Sequence, residues 1–144
     1  MSGAAPLPDL EWDLIAPFWV AAARHELVLP RCSACARYVW YPADTCPRCD
    51  TPAPQWTPVS GRGTLFSWAV VERALYKPFR DRAPYVTGLV EIEEDPAVRL
   101  VTTLVDVPVD RLEMGMPLVV TWGELHFEGD ERRVPAPFFT TAAP

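Results

Sequence analysis

The sequence predicts a mainly β chain: a short N-terminal helix, a four-cysteine ribbon, then a small closed barrel of five to six strands. Three observations predict it. Four cysteines stand in two Cys-x2-Cys pairs, Cys32 with Cys35 and Cys46 with Cys49. Between Trp12 and Glu26 the apolar residues Trp12, Ile15, Trp19 and Ala22 recur at three to four. After Ser60-Gly61-Arg62-Gly63 the pattern changes to short strand-like runs separated by turn residues.

The composition agrees with a folded chain. Its 144 residues, 49% hydrophobic, suit one main core with a small attached module. Charged residues make up 22% and aromatics 11%, and 17 prolines are spread along the chain, which is neither a disordered nor a collagen-like composition. The net charge of -6 and a pI near 4.8 disfavour a nucleic-acid partner, because binding to polyphosphate relies on Lys and Arg displacing counterions. No apolar run approaches the roughly 20 residues that cross a bilayer, and the first residues show neither a basic start nor a signal-type apolar stretch. The expected location is cytoplasmic, without a membrane partner. Thiols stay reduced there, which favours metal ligation over disulfides.

In chain order, residues 1–15 read as a flexible tail and 16–26 as an amphipathic helix, with Pro17 in its first turn. Phe18 and Trp19 have two readings, packing on the protein's own body or anchoring a partner. Residues 27–58 read as the ribbon, an appendage whose Trp40, Tyr41 and Trp56 are available to cover a metal-centred core. Residues 59–139 hold the barrel, with strands over 64–72, 85–93, 98–105 and 117–122 and a last pair around 124–127 and 133–138. Gly129-Asp130 marks the turn of that pair, and Met114-Gly115-Met116-Pro117 a turn entering a strand, where proline is tolerated. Residues 140–144 read as a second tail.

Ten residues separate the two cysteine pairs. Each pair forms a turn that points two sulfurs one way, and four thiolates complete a tetrahedron around zinc at about 2.3 Å. Disulfides, an empty site and a rubredoxin-like iron centre are the competing readings. A catalytic zinc keeps an open position for water, so a full thiolate set makes the site structural. Turns of this type often carry glycine after the second cysteine to allow a left-handed backbone, whereas this chain has Ala36 and Asp50. Aspartate adopts that conformation readily, and alanine at greater cost.

With all four cysteines on metal no thiol is left as a nucleophile, and catalytic residues are expected to be absent. His25 and His126 lie outside any recognisable nucleophile or zinc-hydrolase motif. Gly61-Arg62-Gly63 has neither the spacing nor the following helix of a phosphate-binding loop and reads as a linker turn. One segment opposes the acidic average: Arg62, Arg73, Lys77, Arg80 and Arg82 face only Glu72 and Asp81. Within it Arg73, Tyr76, Lys77, Phe79 and Arg80 can hold an adenine ring and phosphates, since loops of small Greek-key barrels commonly form ligand surfaces. A solvated loop with scattered charges is the plainer reading.

The order Phe18-Trp19, Glu26-Leu27-Val28-Leu29-Pro30-Arg31-Cys32, Trp40-Tyr41-Pro42, Val59-Ser60-Gly61-Arg62-Gly63-Thr64-Leu65 and Met114-Gly115-Met116-Pro117 resembles the DUF35 family. The resemblance runs over roughly residues 16 to 139 and implies a rubredoxin-like zinc ribbon followed by an OB-fold. It further implies a noncatalytic companion of acyl-CoA enzymes: thiolase-like proteins, including aldolases that shorten steroid side chains in lipid metabolism, and some MaoC-type hydratases. Helix and ribbon would dock on the enzyme in a hetero-oligomer, and the barrel would help hold coenzyme A or pass acyl-CoA onward. The leading expectation is an accessory subunit of a thiolase-like enzyme. Its alternatives are a companion of an enoyl-CoA hydratase, a single-stranded nucleic-acid-binding OB protein and an independent enzyme.

Overall fold

The structure, a computed structural model, describes residues 5–142. Residues 1–4 and 143–144 of the expected tails lie outside them.

Helix α1 (Ala16–Ala22) carries Pro17 in its first turn, where the missing N–H would have no partner in any case. It stops short of the expected limit of 26. His25 takes a left-handed conformation at φ 57, which cannot continue a right-handed helix. The amides of His25 and Glu26 turn back to the carbonyls of Ala22 and Ala21, at 2.9 and 3.0 Å, and satisfy the helix end.

The ribbon begins with β1 (Val28–Arg31) and ends with β2 (Gln55–Pro58), antiparallel partners in register Val28 with Pro58 through Arg31 with Gln55. Five strands then close a barrel: β3 (Arg62–Val71), β4 (Tyr85–Ile92), β5 (Arg99–Leu104), β6 (Pro117–Leu125) and β7 (Val134–Thr141), in spatial order β3-β4-β5-β7-β6. Alternation is clearest in β4, whose Val86, Gly88, Val90 and Ile92 face inward. The expected sixth strand at 124–127 does not exist separately. Glu124 and Leu125 extend β6 opposite Pro135 and Val134, and Phe127 lies beyond the strand end. Strand β7 also runs past residue 139: Thr140 and Thr141 pair with Val119 and Leu118, so these residues of the expected tail belong to the barrel. At Gly63 a Cβ would stand 2.3 Å from the Glu91 carbonyl oxygen, so β3 approaches β4 there only without a side chain.

The ribbon and barrel are not a core with a separate appendage. Phe18 of α1 and Leu27 and Leu29 of the ribbon are buried in one cluster with Leu65, Val90, Leu118 and Phe139 of the barrel. Trp19, Tyr38, Trp40 and Trp56 pack against this same cluster. Around the cysteines only Val39 is a buried apolar neighbour, with Ala43 partly buried, so Trp40 and Trp56 serve the common core and Tyr41 is exposed. A ribbon this short cannot bury large aromatics by itself, and each Phe or Leu buried against the barrel contributes about 1.5–3 kcal/mol. Among the described residues no helix is long and apolar enough to cross a membrane.

Candidate functional site

The two Cys-x2-Cys turns share one hydrogen-bonding plan. The Ala36 amide donates to the Cys32 carbonyl at 3.0 Å and the Cys32 amide to the Arg37 carbonyl at 2.9 Å. Asp50 and Cys46, then Cys46 and Thr51, repeat these bonds at 2.9 and 2.8 Å. Ala36 and Asp50 occupy the equivalent left-handed position, with φ of 63 and 58. The turns therefore form without glycine, and the larger backbone penalty falls on Ala36, which lacks the polar side chain that eases this conformation for Asp50.

This geometry gathers Sγ atoms of Cys32, Cys35, Cys46 and Cys49 within 4.8 Å of one another. Cys32 lies 3.5 Å from Cys49 and Cys35 lies 3.7 Å from Cys46. A tetrahedron with zinc–sulfur bonds of about 2.3 Å spaces its sulfurs by roughly 3.8 Å, so the four thiols fit zinc. They do not fit disulfides, whose sulfurs would be about 2.05 Å apart. The Cys35 backbone N–H, ahead of other contacts, lowers Cys32 to about 6, and Thr51 lowers Cys49. Cys35 receives the Arg37 N–H, yet burial and the three neighbouring thiols push it up to about 11. Four thiolates would leave zinc no open position, and the ion would hold the two turns together.

The other expected residues are divided by the fold. Phe18 is only 9% exposed, edge-to-face with Trp19 at 5.0 Å and 5.5 Å from Trp40, while Trp19 is half-buried. Arg73 and Arg80 line an open cleft of about 480 Å³ together with Glu72, Leu75 and Ala83. Lys77 is exposed, and Tyr76 is half-exposed with its ring 5.9 Å from Phe79. Phe79 turns towards the barrel and meets Phe127 edge-on at 5.4 Å. Arg82 stacks over Phe127 at 4.1 Å and its guanidinium donates to the His126 carbonyl. Composition marked this loop as cationic but gave no sign that Phe79 and Arg82 fasten it to the β6–β7 turn. His25 stacks on Trp122 at 5.3 Å, and His126 Nδ1 lies 3.3 Å from the Arg132 carbonyl, so each imidazole has a packing or turn partner.

Residues 19–55 match the family model described as the rubredoxin-like zinc ribbon domain of ChsH2, and residues 56–123 match its C-terminal OB-fold domain. A solved structure described as the Ltp2-ChsH2(DUF35) aldolase superposes with a TM-score of 0.78 at 33% identity, covering 95% of this chain and 100% of that one. A DUF35 protein of unknown function from Sulfolobus solfataricus shares the fold at a TM-score of 0.57 and 10% identity, over 91% and 87% of the two chains. A probable enoyl-CoA hydratase alpha subunit of Thermomonospora curvata is 37% identical over 108 residues, 74% of this chain, which spans only 33% of that relative. A DUF35 domain-containing scaffold protein of Methanocaldococcus jannaschii is 28% identical over 75% of each chain. The two consecutive domain matches, the four-thiol site and the full-length likeness agree: the chain belongs to the DUF35 family, in its ChsH2 form of a rubredoxin-like zinc ribbon followed by an OB-fold.

Proposed function

We propose that this chain is a noncatalytic accessory subunit that binds and stabilises a thiolase-like acyl-CoA enzyme, a thiolase or a retro-aldol lyase. The carrying observation is the likeness, at 33% identity over all of that chain, to the DUF35 component of an aldolase. The chemistry of the chain supports it: all four thiols sit in one metal site, and both imidazoles are engaged in packing or turn contacts. The enzyme partner then supplies the nucleophile or base. The proposal assigns the phosphates of a coenzyme A ester to Arg73 and Arg80, supported by their lining one open cleft, with Lys77 and Tyr76 exposed in the same loop. Phe79 supports that loop from beneath.

A companion role towards a MaoC-type enoyl-CoA hydratase is the second reading, favoured by the Thermomonospora curvata relative. Coexpression with a thiolase-like protein encoded nearby, and separately with a MaoC-type hydratase, followed by size exclusion and assay distinguishes the two. Comigration and gained activity with the thiolase-like protein support the first reading. Comigration with the hydratase alone replaces it, and a chain that joins neither removes both.

A further inference from the structure

A groove of about 240 Å³ separates the N-terminal turn from the ribbon, with Asp13 and Leu14 on one wall and Pro42, Asp44, Pro54 and Trp56 among the others. Two segments some 30 residues apart in sequence thus line one open groove, in which proline and tryptophan surfaces alternate with two carboxylates. Trp12 and Tyr41, the residues next to the lining Asp13 and Pro42, are 58% and 67% exposed, and Leu10 is also exposed. The charged residues that line the groove, Asp13 and Asp44, are both acidic. No Lys or Arg precedes Arg24, while Asp9, Glu11 and Asp13 fall within that stretch. Ribbon segments 42–44 and 53–56 add Asp44 and no cation, while Arg31, which follows the lining Pro30, donates to the Ala36 carbonyl at 3.0 Å and lies over the Tyr38 ring. Among the described residues Glu11, Asp13 and Asp44 take part in no ion pair, in contrast to Asp95, Asp130 and Glu91.

We propose that this groove is a docking site for an extended, Arg- or Lys-bearing segment of a partner protein. Proline and tryptophan walls suit an extended chain, which keeps its backbone solvated while side chains enter the groove. Exposed Trp and Tyr rings attract guanidinium and ammonium groups, and the carboxylates complement their charge. Anionic partners fit poorly: nucleic acid and acidic lipid would meet uncompensated carboxylates. The same patch of a second copy would bring like charge. The proposal extends the accessory-subunit reading by giving the chemistry of the docked segment, and its test uses no enzyme, so either idea can fail alone.

The probe is a fluorescein-labelled peptide of ten residues with three arginines, prolines and a central leucine, compared with its counterpart carrying glutamate for arginine. Fluorescence anisotropy with the zinc-loaded full chain is expected to show binding of the arginine peptide at least about tenfold tighter than the glutamate peptide. Affinity should fall several-fold between 50 and 300 mM salt, because exposed charges are screened. Trp12→Ala should weaken binding about tenfold. Asp13→Asn with Asp44→Asn, which preserves side-chain shape, should both weaken binding and flatten the salt dependence, with circular dichroism unchanged. Absent binding, equal binding of both peptides, or full affinity in these variants overturns the proposal. So does concentration-dependent self-association that the peptide fails to displace, which would make a second copy the occupant.

Discussion

Asp95, between β4 and β5, accepts the backbone N–H of Tyr38 in the ribbon at 3.2 Å across 57 positions of sequence. Its carboxylate, 7% exposed, also accepts the Ala97 amide at 3.2 Å and faces the Arg37 guanidinium at 3.6 Å. This is the polar counterpart of the shared apolar core. Replacing Asp95 with Ala removes the acceptor from two amides, and a hydrogen bond to a charged group is worth about 1.5–3 kcal/mol. Asp95→Ala is therefore expected to lower stability by about 2–4 kcal/mol in urea titration, with the Tyr38 amide losing hydrogen-exchange protection. Asp95→Asn, which retains one acceptor, should lose less. Equal protection of Tyr38 in all three proteins would show that the contact contributes nothing.

The left-handed Ala36 offers a gain in stability. That backbone costs a non-glycine residue about 1–2 kcal/mol, of which glycine returns about 0.4–1 through the freedom of its unfolded chain. Ala36→Gly is expected to stabilise the ribbon by up to about 1 kcal/mol, seen as slower zinc loss to a chelator. The equivalent change at Asp50 should give less, because aspartate tolerates the conformation.

Removing the metal should act beyond the ribbon. Zinc binding in isolated modules is worth on the order of 10–16 kcal/mol, comparable to a whole domain's stability of about 5–15 kcal/mol. Because Trp40 and Trp56 join the ribbon to the barrel core, chelation is expected to change the near-UV circular dichroism of both aromatics along with the fold around the cysteines. Zinc uptake near neutral pH should release protons, since Cys35 is held up to about 11 and must ionise to bind. A metal-free chain with unchanged near-UV signal would contradict this coupling.

Phe18 and Trp19 should separate when mutated. Phe18→Ala opens the core between the helix and Trp40, and is expected to cost about 3–5 kcal/mol in thermal or urea unfolding of the chain alone. Half-buried Trp19 should cost less alone; in complex with an enzyme, Trp19→Ala should weaken assembly by about 2 kcal/mol or more where it anchors the partner. Titration calorimetry of the assembled pair checks the second value.

The β6–β7 turn has an acid limit. Side-chain and then backbone donation from Arg132 holds Asp130 at about 2, below the ordinary carboxylate value near 4. A depressed pKa contributes above the unfolded value and is lost as pH falls through the folded one. The turn contact should thus persist at pH 5 and weaken from pH 4 to 2. An NMR titration of the Asp130 carboxyl measures this, and Arg132→Ala should return it towards 4.

Local signals carried much of the architecture. Cysteine spacing marked the ribbon turns, Pro17 marked the helix start, and strand-like runs between turn residues marked the barrel strands near 64–72, 85–93, 98–105 and 117–122. The helix end was obscured because His25 takes a left-handed conformation that its residue type does not announce. The extra strand arose because Glu124-Leu125 continues β6 in register with β7, and register is a pairing property. Among the loop residues, Arg73 and Arg80 were brought to one cleft while Phe79 was spent on Phe127.

By itself the sequence marked Cys32, Cys35, Cys46 and Cys49 as one candidate ligand set, because two Cys-x2-Cys turns each point two sulfurs one way. Only the tertiary structure decided that helix, ribbon and barrel share one core, that Asp95 ties Tyr38 to the β4–β5 turn, and that Asp13 and Asp44 line one groove. Those contacts join residues tens of positions apart. Periodicity and spacing report a residue's local geometry, whereas the neighbour it meets depends on how all the strands close.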